Sequence, residues 1–185
     1  DFFSSTTNYQ LAQYGSRSIS HVLFFKQSAY NWLTVTPSPP PSFDSSNNPI
    51  EQTQVSAIRF ENEETKMLSM LFLNGKINFS RWLCYGDEFH VTNEDLLSAS
   101  VPLKSISNAD KERLLRLAEK FVVELPSAIQ FKLNAGKNVG SYNTSKLWNI
   151  TDFSDRIFLK YMTDFPDEVS QAVELHISQT IMSQQ

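Results

Sequence analysis

The sequence predicts an α+β domain, a small mixed or antiparallel sheet packed with four or five helices, and three observations predict it. Short strand-forming runs with partial period-two alternation crowd the first 60 residues. A long amphipathic stripe at helical spacing opens near Ser107, and two further helical patterns lie C-terminal to it. No repeat at the roughly 20–50-residue periods of solenoids is visible, and 185 residues suffice for one ordinary core. A single domain is expected, sheet-rich over 1–104 and mainly helical over 105–185.

Ser, Thr, Asn and Gln around Gly15 make 4–18 a loop. Residues 21–26 are dense in strand formers, 30–35 alternate partly through Tyr30 and Trp32, and Gln27-Ser28-Ala29 is short enough for a hairpin connection. Two antiparallel strands are therefore expected over 21–36. Five prolines between Pro37 and Pro49 remove backbone donors and favour polyproline geometry, which makes 36–49 a long surface loop. Residues 55–60 form a third strand. Asn62 then caps a helix with Glu63 and Glu64 in its first turn and Met67, Leu68, Leu71 and Phe72 on its apolar side. Asn74-Gly75 either kinks this helix or ends it before a restart through Ile77, Phe79, Trp82 and Leu83. A short strand is expected at 89–92 and a loop at 96–103.

Ser107 caps the clearest helix, with Leu114, Leu117, Ala118, Phe121, Val122 and Leu125 on one stripe and Lys111, Arg113, Arg116 and Lys120 opposite. Pro126 kinks or ends it, Ile129 and Leu133 continue the helical spacing, and Gly136 is placed to terminate that continuation. Helices over 152–162 and 166–181 complete the chain, the second starting at Pro166, a favoured first position. His176 shares the apolar face of the last helix and is expected as a packed, hydrogen-bonded core histidine.

Composition bounds the function. No apolar run approaches the ~20 residues a membrane-spanning helix needs, no signal peptide opens the chain, and the missing initiator Met suggests a fragment or processed product. A soluble, cytoplasmic protein is expected. Cys84 stands alone in an apolar setting, as a structural thiol would, and His21, His90 and His176 have no metal-ligand spacing, so no metal site is expected. The net charge of −4 is uneven: 104–160 carry 10 basic and 6 acidic residues, whereas the last 25 residues carry 4 acidic and no basic ones. This permits a basic face on an acidic body, and equally an ordinary set of solvated helix faces.

Nucleophile-elbow, P-loop, dinucleotide-binding and zinc-protease patterns are missing, and five glycines leave no Gly-rich phosphate cradle. Acidic pairs such as Asp87 with Glu88 and Asp152 with Asp155 are explained by turns and helix starts without catalysis. No catalytic residue is assigned.

Three segments in order carry a resemblance. The first is Val55-Ser-Ala-Ile-Arg-Phe with the following Leu71-Phe-Leu-Asn-Gly-Lys-Ile-Asn-Phe and Trp82. The second is Gly86-Asp-Glu-Phe-His-Val-Thr-Asn-Glu-Asp-Leu with Val101-Pro102-Leu103. The third is Gly136-Lys-Asn-Val-Gly-Ser-Tyr-Asn-Thr-Ser-Lys leading into Ile150-Thr-Asp-Phe-Ser-Asp-Arg-Ile. Together they resemble the C-terminal target-recognition region of type II, IIG-like restriction-modification N6-adenine DNA methyltransferases, over residues 20–162. The resemblance implies a module that reads double-stranded DNA beside a catalytic methyltransferase domain of the same parent chain, with or without a fused nuclease. S-adenosylmethionine would be bound by that domain and no cofactor by this segment, which lacks the Gly-rich turn and the Asn/Asp-Pro-Pro-aromatic segment of methylation.

Such a module needs groups that hold phosphates and groups that reach base edges. Lys137, Asn138, Tyr142, Asn143 and Lys146 fall in what is expected as a polar, Gly-punctuated loop, where donors would approach a DNA backbone; a helix C-cap and turn explain the segment equally well. Arg17, Lys26 and Arg81 are candidates for groove or phosphate contact, with Arg suited to guanine. Tyr30 and Trp32 would stack on sugar or thymine methyl, or pack as hairpin core. A protein-interaction module built on the aromatic hairpin and the acidic last helix is the alternative from another class.

Overall fold

The computed structural model describes residues 10–16, 20–29, 32–87 and 89–183, with the side chains of 181–183 excepted. The fold is α+β, with two antiparallel three-stranded sheets and six helices among the described residues. In the first sheet β1 (Val22–Lys26) lies between β2 (Val35–Thr36) and β4 (Val55–Arg59), with Phe25 opposite Val35 and Phe24 opposite Ala57. Leu23 and Phe25 point into the core while Val22, Phe24 and Lys26 alternate to the half-buried side, the period-two signature of a strand. The expected pair of strands over 21–36 is present. Its connection is longer than Gln27-Ser28-Ala29, because β2 starts only at Val35 and Pro37 ends it.

The helices are α1 (Glu63–Asn74), α2 (Lys76–Tyr85), α3 (Asn93–Leu97), α4 (Asn108–Glu124), α5 (Trp148–Met162) and α6 (Pro166–Ser183). Asn62 Oδ1 accepts from Thr65 N and Ser107 Oγ from Asp110 N, so both expected caps form. α1 packs against α2, α4, α5 and the first sheet, and its Phe72 meets Phe158 of α5 edge-on at 5.3 Å. Its last residue, Asn74, is 2% exposed and fully engaged: Oδ1 accepts from Val35 N while Nδ2 donates to Val35 O and Met70 O. A buried amide satisfied in this way fixes helix to sheet, since any slip strands polar groups away from water.

At Gly75 the helix ends and restarts. The backbone donors opening α2, which have no partner within the helix, are capped from another helix: Asp155, in the middle of α5, accepts from Lys76 N at 2.8 Å and Ile77 N at 3.3 Å through Oδ2. Asp155 Oδ1 has no hydrogen-bond partner among the described residues. It lies so close to Gly75 that a Cβ built there would sit 2.2 Å from it. Burial pushes the Asp155 carboxyl up to about 8 against the pull of the two backbone donors, with Asp152 adding to the rise. Outside it, Lys76 Nζ bridges Asp152 at 3.0 Å and Glu174 at 2.6 Å, which joins α2 to α5 and α6. The helix-start reading of Asp155 is thus corrected, because its carboxyl caps a neighbour about 80 residues earlier in the chain. Arg156 turns outward and makes no ion pair with Asp152 or Asp155.

Four further expectations are corrected. Residues 89–92 form no strand; His90 makes one isolated bridge to Ser28. The stretch expected as loop at 96–103 begins inside α3, whose capping box pairs Thr92 with Asp95, a carboxylate doing the work usually given to Glu. Cys84 is exposed, since Trp82 and Leu83 take the inward positions of α2. Part of the proline-rich 36–49 segment is structure: Ser42–Phe43 forms β3 on the second sheet.

The second sheet contains the largest departure. Residues 129–142 are a β-hairpin, β5 (Ile129–Asn134) and β6 (Lys137–Tyr142), with the order β3-β6-β5. Ile129 and Leu133 share helical spacing, but Phe131 between them fits only period two. The strands turn through Ala135 at φ 47° and Gly136 at φ 76°, the paired positive values of a tight two-residue hairpin loop. No described helix is long and apolar enough to cross a membrane.

Candidate nucleic-acid interface

The hairpin stands out from the body. Every residue from Phe131 to Asn138 is exposed, so neither face of its outer half is covered. Its base is bolted down. Tyr142 O accepts from Trp32 Nε1 at 3.3 Å and Thr34 Oγ1 at 3.1 Å, and Thr144 Oγ1 donates to Leu33 O. Gln52 Nε2 lies within 2.9 Å of Pro40 O, Ser42 Oγ and Gly140 O, which clamps β3 onto β6. A projecting ribbon on a fixed base presents side chains at defined places.

Residues opposite one another in an antiparallel pair share a face. The register puts Gln130, Lys132, Asn134, Lys137 and Ser141 on one side of the hairpin, with the half-buried Val139, opposite Lys132, the one apolar residue there. Phe131, Leu133 and Asn138 share the other with Phe43 of β3. The first side is polar and cationic. Lys26 lies near it, for its ammonium is held below its usual range by burial and, second, by the charge of Lys132. The second side is apolar around one amide: Phe131 is 50% and Leu133 71% exposed, and the rings of Phe43 and Phe131 are 6.0 Å apart.

Between Glu124 and Asp152 the chain has no acidic residue, while Lys132, Lys137 and Lys146 fall inside that stretch. None of the three makes an ion pair among the described residues. Lys137 is close enough to act on the charge of Asp44, a carboxylate already held by Asn48 and Ser46. On α4, the other source of basic charge, three of the four basic residues are paired locally, Arg113 with Asp110, Arg116 with Glu112 and Lys111 with Glu64, and Lys120 is not. Arg59, Lys104, Lys120, Arg156 and Lys160 likewise make no ion pair among the described residues, so what sets the hairpin and its foot apart is that their stretch of chain carries lysines and no acidic residue.

The sequence-derived candidates divide accordingly. Lys137 and Asn138 stand on the exposed part of β6, in a strand where a loop was expected, and Lys146 is exposed in a short turn beyond it. Tyr142 ends β6 and is 7% exposed, facing the core. Asn143 organises the turn at the hairpin's foot, its N donating to Ala128 O and its Oδ1 accepting from Ser145 Oγ. Trp32 is half-buried with its indole N–H committed to Tyr142 O. Arg81 is an internal pin: its guanidinium donates to Asn78 Oδ1, Ser98 Oγ and Asp95 O, tying α2 to α3. Arg17 and Tyr30 lie outside the described residues. Sequence reasoning missed Gln130, Phe131, Lys132, Leu133, Asn134 and Phe43, although the alternation of 129–134 was there to be seen.

Other chemistry-bearing groups hold the structure together. Ser80 Oγ and His176 Nδ1 are 2.7 Å apart, but Ser80 is 3% exposed and the pair ties α6 to α2. Asp87 and His90 form an exposed pair at 2.6 Å, and the hydrogen bond from His90 holds the Asp87 carboxyl down at about 2. No cluster of metal-ligating side chains occurs among the described residues. Comparison with protein-family models, with curated proteins and with solved structures finds no match in any of the three.

Proposed function

We propose that this chain is a DNA-recognition module whose β5–β6 hairpin engages double-stranded DNA. One observation carries the reading: a projecting two-stranded ribbon, free of acidic residues, carries Lys132 and Lys137 without ion-pair partners on an otherwise acidic protein. Phosphate binding requires local positive charge rather than a positive total. An exposed amide on the same ribbon, Asn138, supplies a donor-acceptor pair of the kind that meets base edges. The resemblance of 20–162 to target-recognition regions adds a setting: methylation of adenine, with S-adenosylmethionine as donor, would be the work of a catalytic domain elsewhere in a parent chain. That setting rests on the sequence alone.

The test is fluorescence-anisotropy binding to a random-sequence duplex across a salt titration. The chain is expected to bind weakly, with log affinity falling linearly with log salt. Lys132→Ala/Lys137→Ala should reduce that slope by roughly 2, since each phosphate contact contributes about 0.9. Unchanged affinity and slope would remove the hairpin from the interface. A stable dimer indifferent to DNA would favour the protein-interaction reading, to which the exposed Phe131 and Leu133 are equally suited.

A further inference from the structure

On the reading that the hairpin binds duplex DNA, we infer that its apolar side reads A·T pairs in the major groove, with Asn138 directed at adenine and Leu133 and Phe131 at the thymine methyl. The register carries the inference. Asn138 of β6 is paired across the sheet with Leu133 on one side and with Phe43 on the other, and Phe131 lies one alternation further along β5. A carboxamide is therefore framed by three apolar side chains on one face. All of these but Phe43 are exposed, and Phe43 is half-buried.

Base chemistry gives this arrangement a match. An Asn amide can pair bidentately with adenine N7 and N6, and the 5-methyl of thymine is the one apolar group a base pair presents in the major groove. Guanine would call for paired donors, and the apolar side has no Arg or Lys. Dimensions favour the same groove: strands ~4.8 Å apart with their side chains fit an opening of about 12 Å and not one of about 6 Å. The opposite side of the ribbon then faces out of the groove. Lys132 and Lys137 leave from it on long flexible stems, the reach needed for phosphates on the groove walls. Cationic and apolar sides thus serve one ligand.

The experiment compares three duplexes of equal length: one rich in A·T, the same duplex with deoxyuridine for every thymidine, and one rich in G·C. Deoxyuridine keeps the pairing and the charge and removes only the methyl. The A·T duplex should bind at least about fivefold tighter than either of the others, as expected for one good contact. Leu133→Ala/Phe131→Ala should bring the thymidine-to-deoxyuridine ratio to unity without altering the salt slope, and Asn138→Ala should reduce the preference over G·C. These residues are exposed, so the variants are expected to fold, and circular dichroism checks that. Equal affinity for the thymidine and deoxyuridine duplexes, with a steep salt slope retained, overturns the inference and leaves the DNA-binding reading standing. Absence of salt-dependent binding to all three overturns both.

Discussion

Gly75→Ala is expected to destabilise the protein by about 3 kcal/mol, at the upper end of what overpacking a closed site costs. The added Cβ would lie 2.2 Å from Asp155 Oδ1, 2.8 Å from Cγ and 2.9 Å from Oδ2, so it meets the whole carboxyl group. Asp155 cannot swing away cheaply. It is 6% exposed, and Oδ2 is committed to the first two backbone donors of α2. Displacing it leaves buried N–H groups unpaired at the junction of α1, α2 and α5, each worth about 1–3 kcal/mol. Asp155→Ala alone should lose about 2 kcal/mol for the same reason, but Gly75→Ala added to Asp155→Ala should cost little more, because the carboxyl has vacated the space. Urea unfolding of the four proteins measures this coupling. Additive losses would show that the glycine and the carboxylate do not share one site.

The same carboxyl makes stability depend on pH. In the unfolded chain Asp155 titrates near the ordinary carboxylate value of about 3.9, and in the folded protein near 8. Between those values the native state keeps a proton that the unfolded state has released. Unfolding therefore becomes easier as pH rises, by up to about 1.4 kcal/mol per pH unit. The contribution is fully present below about pH 4 and fully lost once pH passes about 8. Asp155→Asn keeps an oxygen able to accept from Lys76 N and Ile77 N while removing the titration. The variant should gain on the parent steadily from about pH 5 to 8, by several kcal/mol over the whole window. Taking the difference between the two proteins cancels the histidines common to both. Parallel stability curves would mean that Asp155 is ionised in the native state.

Neither effect is legible locally. Gly75 shows in the sequence as an interruption between two apolar helical patterns, and that is where the chain breaks. What faces the break is a residue 80 positions later, brought there by the packing of α5 on α2. Local signals suffice where local physics decides: the caps at Asn62 and Ser107, the stop near Pro126 and the run of strand formers over 21–26. The hairpin escapes such reading because Ile129 and Leu133 match an i, i+4 helical pair directly after a strong helix, while Ala135 replaces the Asn expected before Gly in such a turn. Once 129–142 is a ribbon, Lys137 and Asn138 change from loop residues into positions on opposite sides of it. Arg81 illustrates the reverse. A lone arginine among apolar residues looks like a free cation, and only the tertiary structure brings Asn78, Ser98 and Asp95 around it.

If the hairpin is the surface that meets DNA, backbone hydrogen exchange with and without a random-sequence duplex at low salt tests it most directly. Added duplex should slow exchange over 129–142 and in the adjoining β3, with α4 and α6 unchanged. Slowing on α4 or α6 with none in the hairpin would contradict the proposed interface and move it to the helical face.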